Sequence, residues 1–474
     1  MNSESGYFAG RRLNGIVGAM CYISAVMSGL VFVMVPGELY VYGASRAWFV
    51  FGVLIALSLS WLVIPVKLND YCIKTGTVSL PFFMSLRYKE KKPAVRRLIA
   101  VIVAGVMAVI GAGLVSDGAK ALALFSGGRI GYEPAVFIII LTIMIYVIPF
   151  GFNGLNTVGT VGFVLMMLVF ITIPVLIVIA MGGHGFVAGI SSSRPGCTVS
   201  DFLNITKSGM DNIAISSVIG GLTRGMAYFV LPVLLLYYTT YKSEKKLLLS
   251  RRFSLSAVLV VMVSACVIGV MGRAFLAPKV YVSGEYPGMN IYREITEKLQ
   301  HLGLMPAAVG VLMYTGLVLA YITTADKCIY LVTSTISDEI CAGPGRRNKR
   351  IVYMLTGFIV LVLAAVASIV FRDKLKAWSE LSLELMAVTL GPVLMKSLYA
   401  RRMNRAGVFA GVFAGTLTLI VWKVTGIEEK TLINCMPAGF VINLIASAFA
   451  SFITGGPGEE VDKEFEDVRY GLID

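Results

Sequence analysis

Charge is scarce in this chain. Only 14% of its 474 residues are Asp, Glu, Lys or Arg, where a soluble domain carries about a quarter. Histidine is nearly absent: the two copies, His184 and His301, fall in loops far apart. That all but excludes a histidine base or a His/Cys metal site, and leaves both as ordinary loop residues. The seven cysteines, Cys197 among them, are odd in number and scattered, with no C-x-x-C pair, so a disulfide framework is excluded. Acidic residues are outnumbered 27 to 41, a net charge of +14. In a soluble chain that balance would point to nucleic acid. In a membrane protein, Lys and Arg collect in cytoplasmic loops. No polar stretch is long enough to hold a second core.

What is abundant is apolar. Hydrophobic residues make up 57% of the chain, with 49 glycines, more than a water-soluble core absorbs. The fold class is therefore an all-α polytopic membrane protein. A bilayer core of about 30 Å takes about 20 apolar residues per helix. Twelve runs qualify: 13–35, 47–66, 98–117, 134–150, 158–181, 213–240, 253–276, 306–336, 351–371, 378–399, 406–425 and 434–453. The first run is long, broken by glycines and without a small-residue cleavage site, which reads as a span and not a leader. Twelve crossings with a cytoplasmic N-terminus put most of the 41 basic residues inside. The positive-inside rule then predicts a cell-membrane protein with both termini cytoplasmic. Glycines 407, 411 and 415 stand four apart on one helix face, the spacing that lets another helix approach.

Two spans are interrupted. The first holds Ser24, Met27, Ser28 and Gly29 at mid-helix. The sixth packs Gly220, Gly221, Arg224 and Gly225 together, with Pro232 seven residues on. Irregular backbone is tolerated in a membrane only beside a cavity or inside protein. A Gly/Pro-broken pair in matching positions of two five-helix halves is the pointer to an inverted-repeat secondary transporter. The eighth span adds adjacent hydroxyls, Thr323 and Thr324, after Ala320. These face an opened turn as ligands for a hard cation, or bond back to their own helix.

These residues resemble the sodium:solute symporters, and among them the sodium/proline symporter branch. The likeness covers nearly the whole chain. It rests on Tyr7 to Leu13, Met27-Ser28-Gly29 with Pro36-Gly37, and Ser79-Leu80-Pro81 with Arg87-Tyr88. Further along it rests on Tyr228-Phe229 with Pro232, Ser337-Asp338-Glu339, Gly391-Pro392-Val393 and Ile420 to Lys423. The resemblance implies a leucine-transporter-type fold: two inverted five-helix repeats (5+5), 13–181 and 213–399, plus two C-terminal helices over 406–453. A short N-terminal segment, 1–12, and a tail, 455–474, would flank them in the cytoplasm.

The resemblance also implies a symporter, not an enzyme, that moves a small organic solute such as proline, another amino acid or a carboxylate. Its sodium ligands carry over to Ser24, Met27, Ala320, Thr323 and Thr324. Its substrate-lining positions carry over to Ser28, Arg224, Tyr228 and Pro232. Beyond the coupling ion no cofactor or metal is implied, and the partners are the lipid bilayer, the solute, and Na+ or H+. Neither nucleic acid nor an obligate protein partner is expected. This chain departs from the branch at Val26 and Gly159, where the proline symporters carry aspartates, and at Arg224, where they carry tryptophan. A divergent proton-coupled, uncoupled or sensory member of the same fold is the alternative.

The chain adds intramembrane charges of its own: Asp117, Arg224, Asp326-Lys327, Glu380, Glu384 and Lys396. Each costs roughly 2.5–3.5 kcal/mol on insertion scales and faces a cavity or a partner. Lys396, near a helix end, is expected to snorkel, and Glu380 and Glu384 to meet interface water. Arg224 is expected to pair with Asp117 or Asp326, or to bind a substrate carboxylate. Asp117 and Asp326 are candidate coupling groups.

Overall fold

A computed structural model describes residues 13–75, 79–90, 92–182, 185–193, 198–208, 211–241, 243–278, 287–341, 348–455, 458 and 461. The motif at 7–12, His184, Cys197 and most of the 455–474 tail lie outside the described residues. The helices are α1 Gly15–Val26, α2 Val35–Tyr42, α3 Ala47–Val63, α4 Pro65–Thr75, α5 Leu80–Arg87, α6 Ala94–Phe125 and α7 Tyr132–Met181. Next come α8 Gly185–Ser193, α9 Val199–Phe202, α10 Ile215–Arg224, α11 Pro232–Tyr238, α12 Glu244–Leu276 and α13 Pro287–His301. The chain closes with α14 Ala307–Cys341, α15 Lys349–Val370, α16 Leu375–Tyr399, α17 Arg405–Val424, α18 Ile427–Thr431 and α19 Met436–Ile453. A two-residue hairpin, Lys207–Ser208 against Asp211–Asn212, is the sheet among the described residues.

Nine of these helical runs are long and apolar enough to cross a membrane, and eleven if two bent pairs each count as one span. The expected fourth and fifth spans share the 50-residue run α7. That run is broken at Gly151, whose φ of 52° and ψ of −129° are not helical. A Cβ on Gly154 would stand 2.3 Å from the carbonyl oxygen of Tyr146. Eight residues of continuous helix would separate the two by about 12 Å. Counted as two spans, the halves of α7 bring the eleven to the twelve expected.

The bent pairs are the two interrupted spans. α1 meets the helical stretch Val31–Tyr42, which ends in α2, at 58°, and α10 with the 3₁₀ turn Gly225–Phe229 meets α11 at 48°. Pro232 starts α11 because its fixed φ suits the first helical position and its missing N–H costs nothing there. α14 runs through the centre, packed along α6 and α7, with α1 against α7, α12 and α14. Leu, Ile, Val and Phe side chains such as Val101, Ile145, Val424 and Phe452 cover the outer surface, as a lipid-facing wall requires.

The last three long helices pack as a unit. Cβ atoms on Gly407 and Gly411 would collide with Ser451 and Asn443 of α19, and one on Gly415 with the Val388 carbonyl of α16. The small-residue stripe is thus a packing face, as its spacing predicts. Lys396 does not snorkel: its ammonium donates to Leu444 O at 2.7 Å and Ser447 Oγ at 3.1 Å on α19. Glu384 does not meet interface water either. It is buried and ion-paired with Lys423 at 2.9 Å. Both corrections have one cause: α17 and α19 cover a face of α16 that sequence position alone leaves at the helix end.

Candidate functional site

α1 ends where its hydrogen bonding fails. Met27 N still donates to Ile23 O at 2.8 Å, but Ser28 N turns to Val26 O and not to Ser24 O. Met27 itself leaves the helical region, with φ −73° and ψ 53°. The carbonyls of Ser24 and Ala25 are thereby freed, and α14 supplies their partners. Thr323 Oγ1 donates to Ser24 O at 3.3 Å. Thr324 Oγ1 lies 3.4 Å from Ser24 O, 3.5 Å from Ala25 O and 3.1 Å from Ala320 O. The structure therefore brings together Ser24, Ala320, Thr323 and Thr324, with Met27 at the break itself, all buried. Thr324 both reaches across and bonds back to its own helix, so the two expected roles of its hydroxyl coexist.

Directly beside this cluster lies a fully buried ion pair. Lys327 and Asp326 are 3.5 Å apart with both side chains at 0% exposure. The Lys327 ammonium also donates to the Thr323 carbonyl. Asp326 Oδ2 accepts from Tyr146 OH at 2.7 Å. A Cβ on Gly159 would stand 3.1 Å from Ser24 Oγ, 3.4 Å from Cys21 Sγ and 3.5 Å from Lys327 Nζ. The donors around the α1 break are hard oxygens, the kind that suits sodium at an opened turn. The Lys327 ammonium stands beside that set, on the Thr323 carbonyl, and its positive charge opposes a second cation there.

Above the break is a cavity of about 320 Å³. Ser28, Tyr228, Tyr321 and Thr324 form its floor side, and Arg224, Asp117, Glu38, Lys376 and Glu380 give it charge. Tyr228 and Ser28 both line it. Arg224, Lys376 and Glu380 are exposed and mark the open rim. On the opposite side the bundle is sealed by buried Tyr22, Trp61 and Tyr238, with Tyr22 OH to Tyr238 OH at 3.2 Å and Ser60 Oγ to Tyr238 OH at 3.0 Å.

Arg224 pairs with neither expected aspartate. Asp117 pairs with Lys120 at 3.7 Å and Asp326 with Lys327 at 3.5 Å, and Arg224 forms no ion pair among the described residues. It faces the cavity and, on its other side, a second one of about 310 Å³. Pro232 does not line the 320 Å³ cavity; its neighbour Leu231 does. Sequence reasoning singled out Asp326 as a candidate coupling group and named Lys327 among the intramembrane charges, but gave Lys327 no role in the site and missed Tyr146. One signal was legible: Thr323 and Lys327 stand four apart, on one face of a helix. Tyr146 gave none, since its contact spans 180 residues.

Residues 7–415 match the sodium:solute symporter family. A high-affinity proline transporter of Bacillus subtilis is 24% identical over 476 residues, covering 97% of this chain and 94% of that one. A sodium/proline symporter of Escherichia coli is 24% identical over 478 residues, covering 98% and 90%. Among solved structures, a substrate-bound, outward-open Na+-coupled sialic acid symporter matches with a TM-score of 0.71 at 16% identity, covering 95% of this chain and 91% of that one. A nucleobase-cation-symport-1 family transporter in a closed conformation matches with a TM-score of 0.61 at 13% identity, over 99% of both. The architecture is the leucine-transporter-type fold, and this multi-pass membrane chain belongs to the sodium:solute symporter family, a family of sodium-coupled solute symporters.

Proposed function

We propose that this chain is a secondary active transporter that moves a small organic solute with a carboxylate, such as proline, another amino acid or a carboxylate, across the cell membrane by alternating access. One observation carries the solute class: Arg224, without an ion-pair partner among the described residues, faces a cavity of about 320 Å³. That volume is at the small end of ligand cavities, which run from about 300 to 1,000 Å³. A guanidinium fork matches a carboxylate bidentately. Ser28 and Tyr228 would hydrogen-bond the rest of the solute. The two broken spans, together with the Tyr22–Tyr238 seal, are the parts that would move when access alternates. The residue groups 13–181 and 213–399 are the repeats that would rock against each other.

Symport with a cation is the first reading, and sodium is the ion that the family name points to. A second reading, proton-coupled, uncoupled or sensory, is favoured by the Lys327 ammonium beside Gly159 and Thr323. The test is uptake into proteoliposomes across a solute panel, under an imposed sodium gradient, a proton gradient or neither. Arg224→Lys should then raise the KM of the transported solute ten- to a hundredfold, the size of a lost charged hydrogen bond of roughly 1.5–3 kcal/mol, at unchanged membrane insertion. A solute affinity indifferent to Arg224→Ala would sink the carboxylate assignment. Absence of accumulation under every gradient, with solute binding retained, would select the sensory reading.

A further inference from the structure

We propose that the Lys327 side chain is a tethered cation, held where the α1 break, α14 and the second half of α7 converge, and that it takes the place of a bound sodium ion there. Four contacts carry this. Lys327 Nζ donates to the carbonyl of Thr323, the residue whose hydroxyl reaches Ser24 O at 3.3 Å. It lies 3.5 Å from the point a Gly159 Cβ would occupy, and Ser24 Oγ lies 3.1 Å from the same point. Its counter-charge, Asp326 Oδ1, is 3.5 Å away. Tyr146 OH fixes the other carboxylate oxygen at 2.7 Å.

Glycine at 159 is what makes room. Any side chain there would enter the space between Ser24, Cys21 and the ammonium. An ammonium offers three donors to oxygen acceptors, and this one is held by the Thr323 carbonyl and the Asp326 carboxylate. The Asp326–Lys327 pair is neutral as a whole. A sodium ion added beside it would face a positive charge within a few ångströms in a dry site, where such repulsion is weakly screened. For its consequence in transport, solute uptake indifferent to sodium, the inference rests on the transporter reading above. Its test does not.

The full-length chain, purified in detergent, is assayed for saturable binding of 22Na+ alone, with no solute present. Wild type should bind none. Lys327→Ala, which leaves Asp326 with the freed oxygens of Ser24 and Thr323, should gain saturable binding, and Lys327→Ala/Thr324→Ala should lose it again. If Lys327→Ala does not fold, Lys327→Gln carries the same comparison. Saturable 22Na+ binding by wild type that Thr324→Ala removes would overturn the proposal. So would a folded Lys327 variant that stays without binding. A chain that binds ions as described but moves no solute under any gradient would instead sink the transport reading alone.

Discussion

Tyr146 donates to Asp326 at 2.7 Å across 180 residues of sequence, and so ties the first half of α7 to the middle of α14. Asp326 is thereby clamped between a hydroxyl and the Lys327 ammonium in a site with no exposure. Removing one member of a buried pair strands the other charge, at about 3–5 kcal/mol. Asp326→Ala should therefore lower the thermal unfolding midpoint steeply. Asp326→Ala/Lys327→Met should recover most of the loss. Tyr146→Phe, which removes one hydrogen bond to a charged group, should cost about 1.5–3 kcal/mol. Fluorescence-detected size exclusion after heating reads all three. If the double variant is no better than Asp326→Ala alone, the pair is not a coupled unit.

The unwound stretch of the sixth span is held by contact of backbone on backbone. A Cβ on Gly225 would stand 2.2 Å from the Gly52 carbonyl carbon, and one on Gly52 would stand 2.2 Å from Leu222 O. Gly225→Ala should push the stretch away from α3, cost about 1–3 kcal/mol as an overpacked contact, and weaken solute binding by displacing Arg224. Gly105→Ala is the control. Nothing lies within 4 Å of its Cβ position, on the exposed face of α6, so it should be neutral or stabilising by about 0.5–1 kcal/mol. Equal solute affinity in both variants would show that the close approach does not position Arg224.

The C-terminal helices are joined by a charge network. Lys423 Nζ reaches Glu384 at 2.9 Å and Glu428 at 2.6 Å. Glu384 is 7% exposed, while the Lys423 side chain is 39% exposed. Lys423→Met should thus cost more than the roughly 1 kcal/mol of a surface pair and less than the roughly 3–5 kcal/mol of a buried one. Glu384→Leu/Lys423→Met should recover most of it, measured as the unfolding midpoint. Insensitivity of that loss to the second substitution would mean Glu384 is not the stranded partner.

Topology follows from the basic segments. In a background stripped of the seven native cysteines, single cysteines near Lys207 and within 346–350 should react with an impermeant reagent from opposite sides of the membrane. The 346–350 cysteine should label from the cytoplasm. Labelling of both from one side would remove the twelve-crossing arrangement.

The sequence by itself determined the elements. Apolar runs of bilayer length leave the backbone no choice but helix. Glycines and a proline clustered at Ser28-Gly29 and Gly220 to Pro232 mark the two breaks, and both bend in the structure, by 58° and 48°. The adjacent hydroxyls of Thr323 and Thr324 were legible too, whereas their contact with the first break is a product of packing. Tertiary structure alone decided which contacts cross between helices. Sequence alone left Arg224 free to pair with either Asp117 or Asp326. The ion pairs that form are local, Asp326 with the adjacent Lys327 and Asp117 with Lys120 three residues on, while packing brought Tyr146 to Asp326 and left Arg224 facing a cavity. The physical reason is range. Helix formation and the ion pairs within a helix depend on neighbours up to four residues away, whereas the Tyr146 hydroxyl reaches Asp326 only because α7 packs against α14.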